Sequence, residues 1–315
     1  MIKVDDLNGI AIIGAGTMGH GIAQVYAQAG FKVILVDTNL EILNHAMKLI
    51  ESNLQVLAEF SKVNVNDIPS ILSRIYTTTD FERAAEGKTF VLEAVSEIPE
   101  IKKHIFNQLS EICPNDAVLA SNTSTLDIFK LLKDIKNPKR LITQHWFAPP
   151  HIIPLVEVAP SKKTSKEVIS FSIELLEKIG KKPILINKFI PSYIVNKIQN
   201  AISVAMYELL ANKIATAEQI DFAIKSTLGI RLPIVGIVQS QDFGGLDLVY
   251  DIMKSMGSVL PLIKEKVEKN HLGAKTGKGF YDYGDLTEQE ILKKRDRMYL
   301  QQLAFLEKLN NFKPI

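Results

Sequence analysis

A chain of 315 residues, 46% hydrophobic and 23% charged, has room for one large domain or two moderate ones and the composition of an ordinary globular protein. A net charge of +2 with both signs scattered excludes the basic footprint of a nucleic-acid binder or a membrane-surface protein, and no apolar run reaches the roughly 20 residues of a membrane span. The single cysteine, Cys113, excludes an internal disulfide and argues against a cysteine-built metal site. No metal is therefore expected, and with no signal-peptide pattern in the first residues the expected compartment is the reducing cytoplasm.

The chain opens on an apolar run, Ile10, Ile12 and Ile13, followed by Gly14-Ala-Gly-Thr-Met-Gly19. Ile22, Val25, Tyr26 and Ala29 then recur at helical spacing, and Gly30 ends the pattern. This is a strand, a glycine turn and a helix. Gly14 permits the tight turn, Gly16 lets backbone N–H groups approach a pyrophosphate, and Gly19 lets helix and strand pack closely; Thr17 and Met18 complete the turn. An anion there sits at the positive end of the helix. A second strand, Phe31 to Val36, closes on Asp37, about 20 positions beyond the turn. Its carboxylate can accept from ribose hydroxyls and repels a 2′-phosphate, so the expected cofactor is NAD rather than NADP.

A long helical pattern follows, with Leu40, Leu43, Met47, Ile50, Leu54 and Leu57 stepping by threes and fours as a narrow apolar seam. After the turn at Ser61 a shorter helix carries Ile68, Ile71 and Leu72, which predicts a helical hairpin between strands. Strand signals resume at Ile75–Thr78, Phe90–Leu92, Ala117–Ala120 and Leu141–Thr143, separated by helical stretches such as Ile101 to Ile112. That alternation predicts a doubly wound parallel sheet of the Rossmann type, extended or closed by Leu155–Val158 and Pro183–Ile186. Beyond Asn187 helical spacing takes over, and Thr216 with Gln219 and Thr287 with Glu290 have capping-box spacing. The expected organisation is an α/β domain over 1–187 and an all-α domain over 188–315.

Ligands in such sheets bind outside the carboxyl ends of the strands. That rule points to Glu93 and the residues after it, to Ser121-Asn-Thr-Ser124, and to His145. The segment from Gln144 to Glu157 sets a histidine after a strand, then a proline-stiffened loop, then a carboxylate. Such a pair accepts a proton near neutral pH, because the carboxylate orients the ring and stabilises the imidazolium. His151 competes for the role, and spacing does not choose between the two histidines. The glycine-rich segment from Gly273 to Tyr281 lacks the G-x-x-x-x-G-K-[ST] spacing of a P-loop.

Taken together, these motifs resemble the L-3-hydroxyacyl-CoA dehydrogenases and their relatives nearly end to end. The resemblance rests on Gly14 to Gly19, Glu93-Ala-Val-Ser-Glu97 with Lys102, Ser121-Asn-Thr-Ser124, His145-x-Phe-x-Pro149, Pro154-Leu-Val-Glu157, Ile194-Val-Asn196 and Lys275-Thr-Gly-Lys-Gly-Phe-Tyr281. It implies that His145 is the general base oriented by Glu157, and that Ser124 and Asn196 hold the reacting oxygen of a small-molecule substrate. It implies also that Asp37, Glu97, Lys102 and Lys275 contact or position NAD, and that the helical domain builds a homodimer. The implied reaction is reversible oxidation of a short-chain L-3-hydroxyacyl-CoA.

Two departures stand out. The family loop has a second aromatic and Asn–Pro after its histidine, where this chain has Trp146 and Ala148-Pro149. The family's hairpin arm carries several basic residues for the CoA phosphates. Between residues 40 and 70 this chain has only Lys48 and Lys62, against Glu41, Glu51, Glu59 and Asp67. The alternatives are therefore a dehydrogenase of a free 3-hydroxy acid, like the gulonate or carnitine enzymes, or a non-enzymatic dinucleotide-binding protein like the lens crystallins.

Overall fold

The computed structural model describes residues 3–7, 9–309 and 312–313. They divide into two compact units, Met1–Asn200 and Ala201–Ile315. The first unit holds, in chain order, β1 (Ile10–Ile13), α1 (Gly19–Gln28), β2 (Val33–Val36), α2 (Leu40–Glu59), α3 (Ile68–Leu72), β3 (Ile75–Thr78) and α4 (Phe81–Ala85). It continues through β4 (Phe90–Glu93), α5 (Pro99–Ile112), β5 (Val118–Ser121), α6 (Ile128–Leu131), β6 (Leu141–Trp146), β7 (Leu155–Pro160), α7 (Lys166–Lys178) and β8 (Lys182–Leu185). Helix α8 (Val195–Ala211) begins in this unit and ends in the next.

The strands form one sheet in the order β3-β2-β1-β4-β5-β6-β7-β8. Strands β1 and β4, side by side at its centre, are buried along their whole length, as continuous apolar runs covered on both faces must be. Chain direction reverses its winding between β1 and β4, so the crevice outside their carboxyl ends is the ligand position of this topology. The first six strands are parallel, as the alternation predicts. β7 departs from that expectation by pairing antiparallel to β6. A parallel return needs a crossover of a dozen or more residues, roughly, and only residues 147–154 separate the two strands. β8 follows the helix α7 and lies parallel to β7.

Two apolar layers flank the sheet. On one side Ile22, Tyr26 and Leu43 from α1 and α2 meet Phe90, Trp146 and Phe171. On the other, Phe106 and Leu109 of α5 meet Val91, Leu119 and Leu141. Gly30, at φ +94°, closes α1 as predicted, and Ala29 lies exposed at its end. The predicted hairpin forms as α2 and α3, and α2 starts where the Asn39 side chain accepts from the Glu41 N–H at 2.7 Å. Its seam is narrower than the pattern implies: Leu43, Ile50 and Leu54 are buried, while Leu40 is 60% exposed.

The second unit is helical: the rest of α8, then α9 (Ala217–Lys225), α10 (Leu228–Gly244), α11 (Leu246–Ser255), α12 (Pro261–Glu268) and α13 (Glu288–Leu309). Both predicted capping boxes are present, at Thr216 with Gln219 and at Thr287 with Glu290. α10 breaks at Gly236, whose φ of +69° follows a proline at 233. No helix among the described residues is long and apolar enough to cross a membrane.

The hairpin seam yields a paired expectation. Ile50→Ala removes a fully buried side chain and should lower unfolding free energy by about 2–5 kcal/mol in urea titration. Leu40→Ala, ten residues earlier on the same helix, should change it by less than about 0.5 kcal/mol.

Candidate active site

The glycine turn has the shape that its spacing predicts. Gly14 adopts φ +101°, and a Cβ on it would meet the Ala94 carbonyl oxygen at 2.7 Å. A Cβ on Gly19 would fall 1.7 Å from the Gly14 carbonyl oxygen, so only glycine lets α1 approach β1 this closely. Around Gly16 there is open space within 4 Å of such a Cβ, which is what a closely approaching pyrophosphate needs. Thr17 is exposed in the turn, and Met18 packs partly on the core. Asp37 accepts from the Ala15 N–H at 2.8 Å through one oxygen and from the Thr38 N–H at 2.8 Å through the other. The carboxylate is thus fixed, with lone pairs left for ribose hydroxyls. A cleft of about 540 Å³ runs past Gly14, Gly16 and Asp37, with Ile42, Ile101 and Ile105 as apolar walls for a base. These residues fit an NAD molecule.

At the carboxyl ends of β4 and β5 a buried ionic network fixes the next segment. The Lys102 ammonium lies 2.6 Å from Glu93 Oε1 and 3.2 Å from Glu97 Oε2. Glu93 also accepts from the Val95 N–H at 2.8 Å and from the Ser121 hydroxyl at 2.6 Å. Glu97 Oε1 gathers the Thr123 hydroxyl at 2.6 Å and the N–H groups of Ser124 and Thr125, each at 2.8 Å. Burial alone would raise the Glu97 pKa. The Thr123 hydroxyl, the Thr125 and Ser124 N–H groups and the nearby Lys102 charge outweigh burial and bring it down to about 2. Glu97 is therefore ionised near neutral pH and clamps the loop presenting Ser124. The Ser124 hydroxyl itself makes no hydrogen bond to another described residue.

The histidine–glutamate pair arises from the β6–β7 hairpin. Antiparallel register sets His145 directly opposite Glu157, so their side chains emerge on the same face. His145 Nδ1 lies 2.8 Å from Glu157 Oε2, and both side chains are buried. Glu157 Oε1 accepts from the N–H groups of Ile194 and Val195, at 3.0 and 3.1 Å, at the start of α8. An anion at a helix N-terminus is favourably placed. Since an ionised carboxylate can only accept, Nδ1 carries the hydrogen and Nε2 keeps its lone pair. Asn196 Nδ2 stands 3.4 Å from that Nε2. His151 has no such partner. Its Nδ1 is buried without a hydrogen bond, and burial holds its pKa below the ordinary value.

Of the residues singled out in the sequence, Asp37 joins the glycine turn, Glu97 and Lys102 join Ser124, and Glu157 and Asn196 join His145. Lys275 lies in the second unit, where its ammonium pairs with Asp247 at 2.8 Å. That loop is organised by a residue that the sequence did not flag. Buried Asp242 accepts from the N–H groups of Phe280 and Tyr281, at 2.8 and 2.9 Å, and from the Tyr283 hydroxyl at 3.1 Å. Tyr193, whose ring stacks on His145 at 4.5 Å, was likewise missed. Its only sequence signal is its position three residues before Asn196.

Comparison with known proteins agrees with this geometry. Residues 9–189 match the family described as 3-hydroxyacyl-CoA dehydrogenase, NAD binding domain, and residues 193–283 match 3-hydroxyacyl-CoA dehydrogenase, C-terminal domain. The first of these is the NAD-binding portion of the chain. A probable 3-hydroxybutyryl-CoA dehydrogenase of Bacillus subtilis is 35% identical over 291 residues, covering 90% of this chain and 99% of that one. The 5-formyl-3-hydroxy-2-methylpyridine 4-carboxylate 5-dehydrogenase of Mesorhizobium japonicum is 27% identical over 309 residues, covering 96% and 99%. The crystal structure of a 3-hydroxyacyl-CoA dehydrogenase from Archaeoglobus fulgidus superposes with a TM-score of 0.78 at 27% identity, covering 95% of this chain and 98% of that one. A buried histidine–glutamate pair beside a dinucleotide turn, and matches to both domains, lead to one conclusion: the chain belongs to the 3-hydroxyacyl-CoA dehydrogenase family.

Proposed function

We propose that this protein is an NAD-dependent dehydrogenase that interconverts a short-chain L-3-hydroxyacyl-CoA and its 3-oxoacyl-CoA. The observation that carries the reading is the His145–Glu157 pair with Asn196 beside the free Nε2. Nε2 takes the proton of the secondary hydroxyl, and the imidazolium so formed is stabilised by a carboxylate 2.8 Å from Nδ1. The Asn196 amide and the Ser124 hydroxyl donate to the oxygen as it becomes a carbonyl, or as alkoxide character develops in the reverse direction. NAD, when bound, accepts the hydride from the same carbon. Asp37 fits its adenine ribose, while Glu97 and Lys102 act by holding the Ser124 loop. Lys275 is assigned to the cofactor on the strength of the family resemblance.

A second reading rests on the arm. Lys48 and Lys62 are its only basic residues between 40 and 70, both exposed, and four carboxylates accompany them. A phosphate-rich CoA tail finds little charge there, and the Mesorhizobium relative is named for a free pyridine carboxylate. The same chemistry on a free 3-hydroxy acid is the alternative substrate class.

We also assign a homodimer. Support comes from α8, where Ile198, Ile202, Val204 and Tyr207 are all exposed, with Val204 at 67% and Tyr207 at 64%. Val204 and Tyr207 share one side of the helix, and exposed apolar side chains of this kind mark a surface for another protein. We also propose a cytoplasmic location, in keeping with the lone Cys113, a free, buried thiol.

Oxidation of NADH should proceed with acetoacetyl-CoA and be much slower with free 3-oxo acids. Turnover confined to free acids would overturn the thioester assignment and leave the chemistry intact. His145→Ala should lower kcat by about 10²–10⁴-fold while NADH binding, followed by nucleotide fluorescence, is retained. An active His145→Ala enzyme would remove the base assignment. Light scattering should give twice the chain mass, and Val204→Glu with Tyr207→Glu should give a monomer.

A further inference from the structure

The contacts that fix His145 come largely from one short turn. Ser192 and Tyr193 adopt φ of +68° and +50°, two successive side-chain-bearing residues in the left-handed region that usually falls to glycine. The chain then enters α8. From this turn come the two N–H groups on Glu157 Oε1 and the Asn196 amide beside Nε2. A third contact also leaves it. The Tyr193 ring lies face to face with the imidazole, centroids 4.5 Å apart and planes 15° from parallel.

Tyr193 is fully buried, and its hydroxyl makes no hydrogen bond of good geometry, with the Thr143 side chain as its polar neighbour. A contact this weak does not by itself hold the ring in place. Aromatic packing does: Phe189 stands edge-on to Tyr193 at 5.4 Å, and Phe147 closes on the imidazole at 4.6 Å. The bond from Nδ1 to Glu157 fixes one point of the imidazole but leaves it free to swing about that bond. A ring face parallel to the imidazole removes this freedom.

We propose that Tyr193 is a positioning residue for the proton transfer, its ring face setting the plane of the His145 imidazole so that Nε2 meets the substrate hydroxyl. The same face supports the positive charge that the imidazole acquires, as aromatic faces do for cations. The backbone strain at Ser192 and Tyr193 is what brings that ring, the Glu157 cap and Asn196 to the base from one segment. This inference rests on His145 being the base.

Steady-state kinetics of three variants test it. Tyr193→Leu and Tyr193→Met fill the space without an aromatic face, and each should lower kcat about tenfold or more with KM for NAD and substrate changed less than about twofold, because misalignment acts on the chemical step. Tyr193→Phe keeps the face and should retain the parent kcat. Full kcat in the leucine or methionine variant would show that the ring only fills space. A loss in Tyr193→Phe as large as in Tyr193→Leu would assign the effect to the hydroxyl; either result overturns the proposal. Should both aliphatic variants fail to fold, the unaltered protein still decides: the His145 ring protons must show an upfield ring-current shift in its NMR spectrum, and ordinary positions refute the stack. Loss of activity in His145→Ala together with a normal Tyr193→Leu would sink this inference alone, whereas an active His145→Ala would sink the base assignment beneath it.

Discussion

A carboxylate with no solvent around it must have its charge answered by the protein, and Glu157 is such a group. One oxygen takes the His145 ring and the other takes the first N–H groups of α8. Three pieces of chain that are remote in sequence, at 145, 157 and 194–195, are thereby tied to one point. Leaving a buried hydrogen-bonding group unsatisfied costs about 1–3 kcal/mol, more when it is charged, so neither partner is lost without cost to the fold. The proposed chemistry follows from the same arrangement: a carboxylate that can only accept puts the hydrogen on Nδ1 and leaves the Nε2 lone pair to take a proton.

The segment that presents Ser124 repeats the design around a lysine. Lys102 is buried between Glu93 and Glu97, and Glu97 spends its other oxygen on the loop from Thr123 to Thr125. Here a partly exposed anion organises main-chain N–H groups. In the second unit Asp242 does the same for the loop that carries Lys275. Three segments of this chain, at 194–195, 123–125 and 280–283, are thus each gathered by one carboxylate without a covalent link.

What was legible in the sequence was what periodicity and local chemistry encode. All eight strands coincide with apolar runs, the glycine turn has the predicted shape, and both capping boxes form, because each depends on residues within a few positions of one another. The β6–β7 reversal was also encoded, in the shortness of the link between Thr143 and Leu155, but apolar pattern carries no direction. Tyr193 was not legible. Its role depends on two left-handed residues that are not glycine and on a ring meeting His145 across 48 positions, and neither leaves a periodic trace. Asp242 escaped for the same reason, as one acidic residue among many until the Gly279–Tyr283 backbone is seen closing on it.

The two departures after His145 acquire a physical sense from strand alternation. Successive residues of β6 face opposite sides of the sheet, so Trp146 points away from His145 and into the core, with Tyr26 at 5.8 Å. An indole at that position is a packing choice and leaves the base untouched. Phe147 supplies the aromatic edge against the imidazole. Ala148 stands in a loop held from behind by Lys181, which donates to the carbonyls of Pro150 and Ile153 and lies 5.3 Å over the Trp146 ring. Burial brings the Lys181 pKa down to about 8, a sign of how completely the loop encloses its ammonium. Trp146 and Lys181 thus form one unit on the far side of the sheet that braces the hairpin carrying His145 and Glu157. The shape of this loop rests on contacts behind it, so the missing amide at 148 bears on what the loop offers to a ligand and leaves the placing of His145 unchanged.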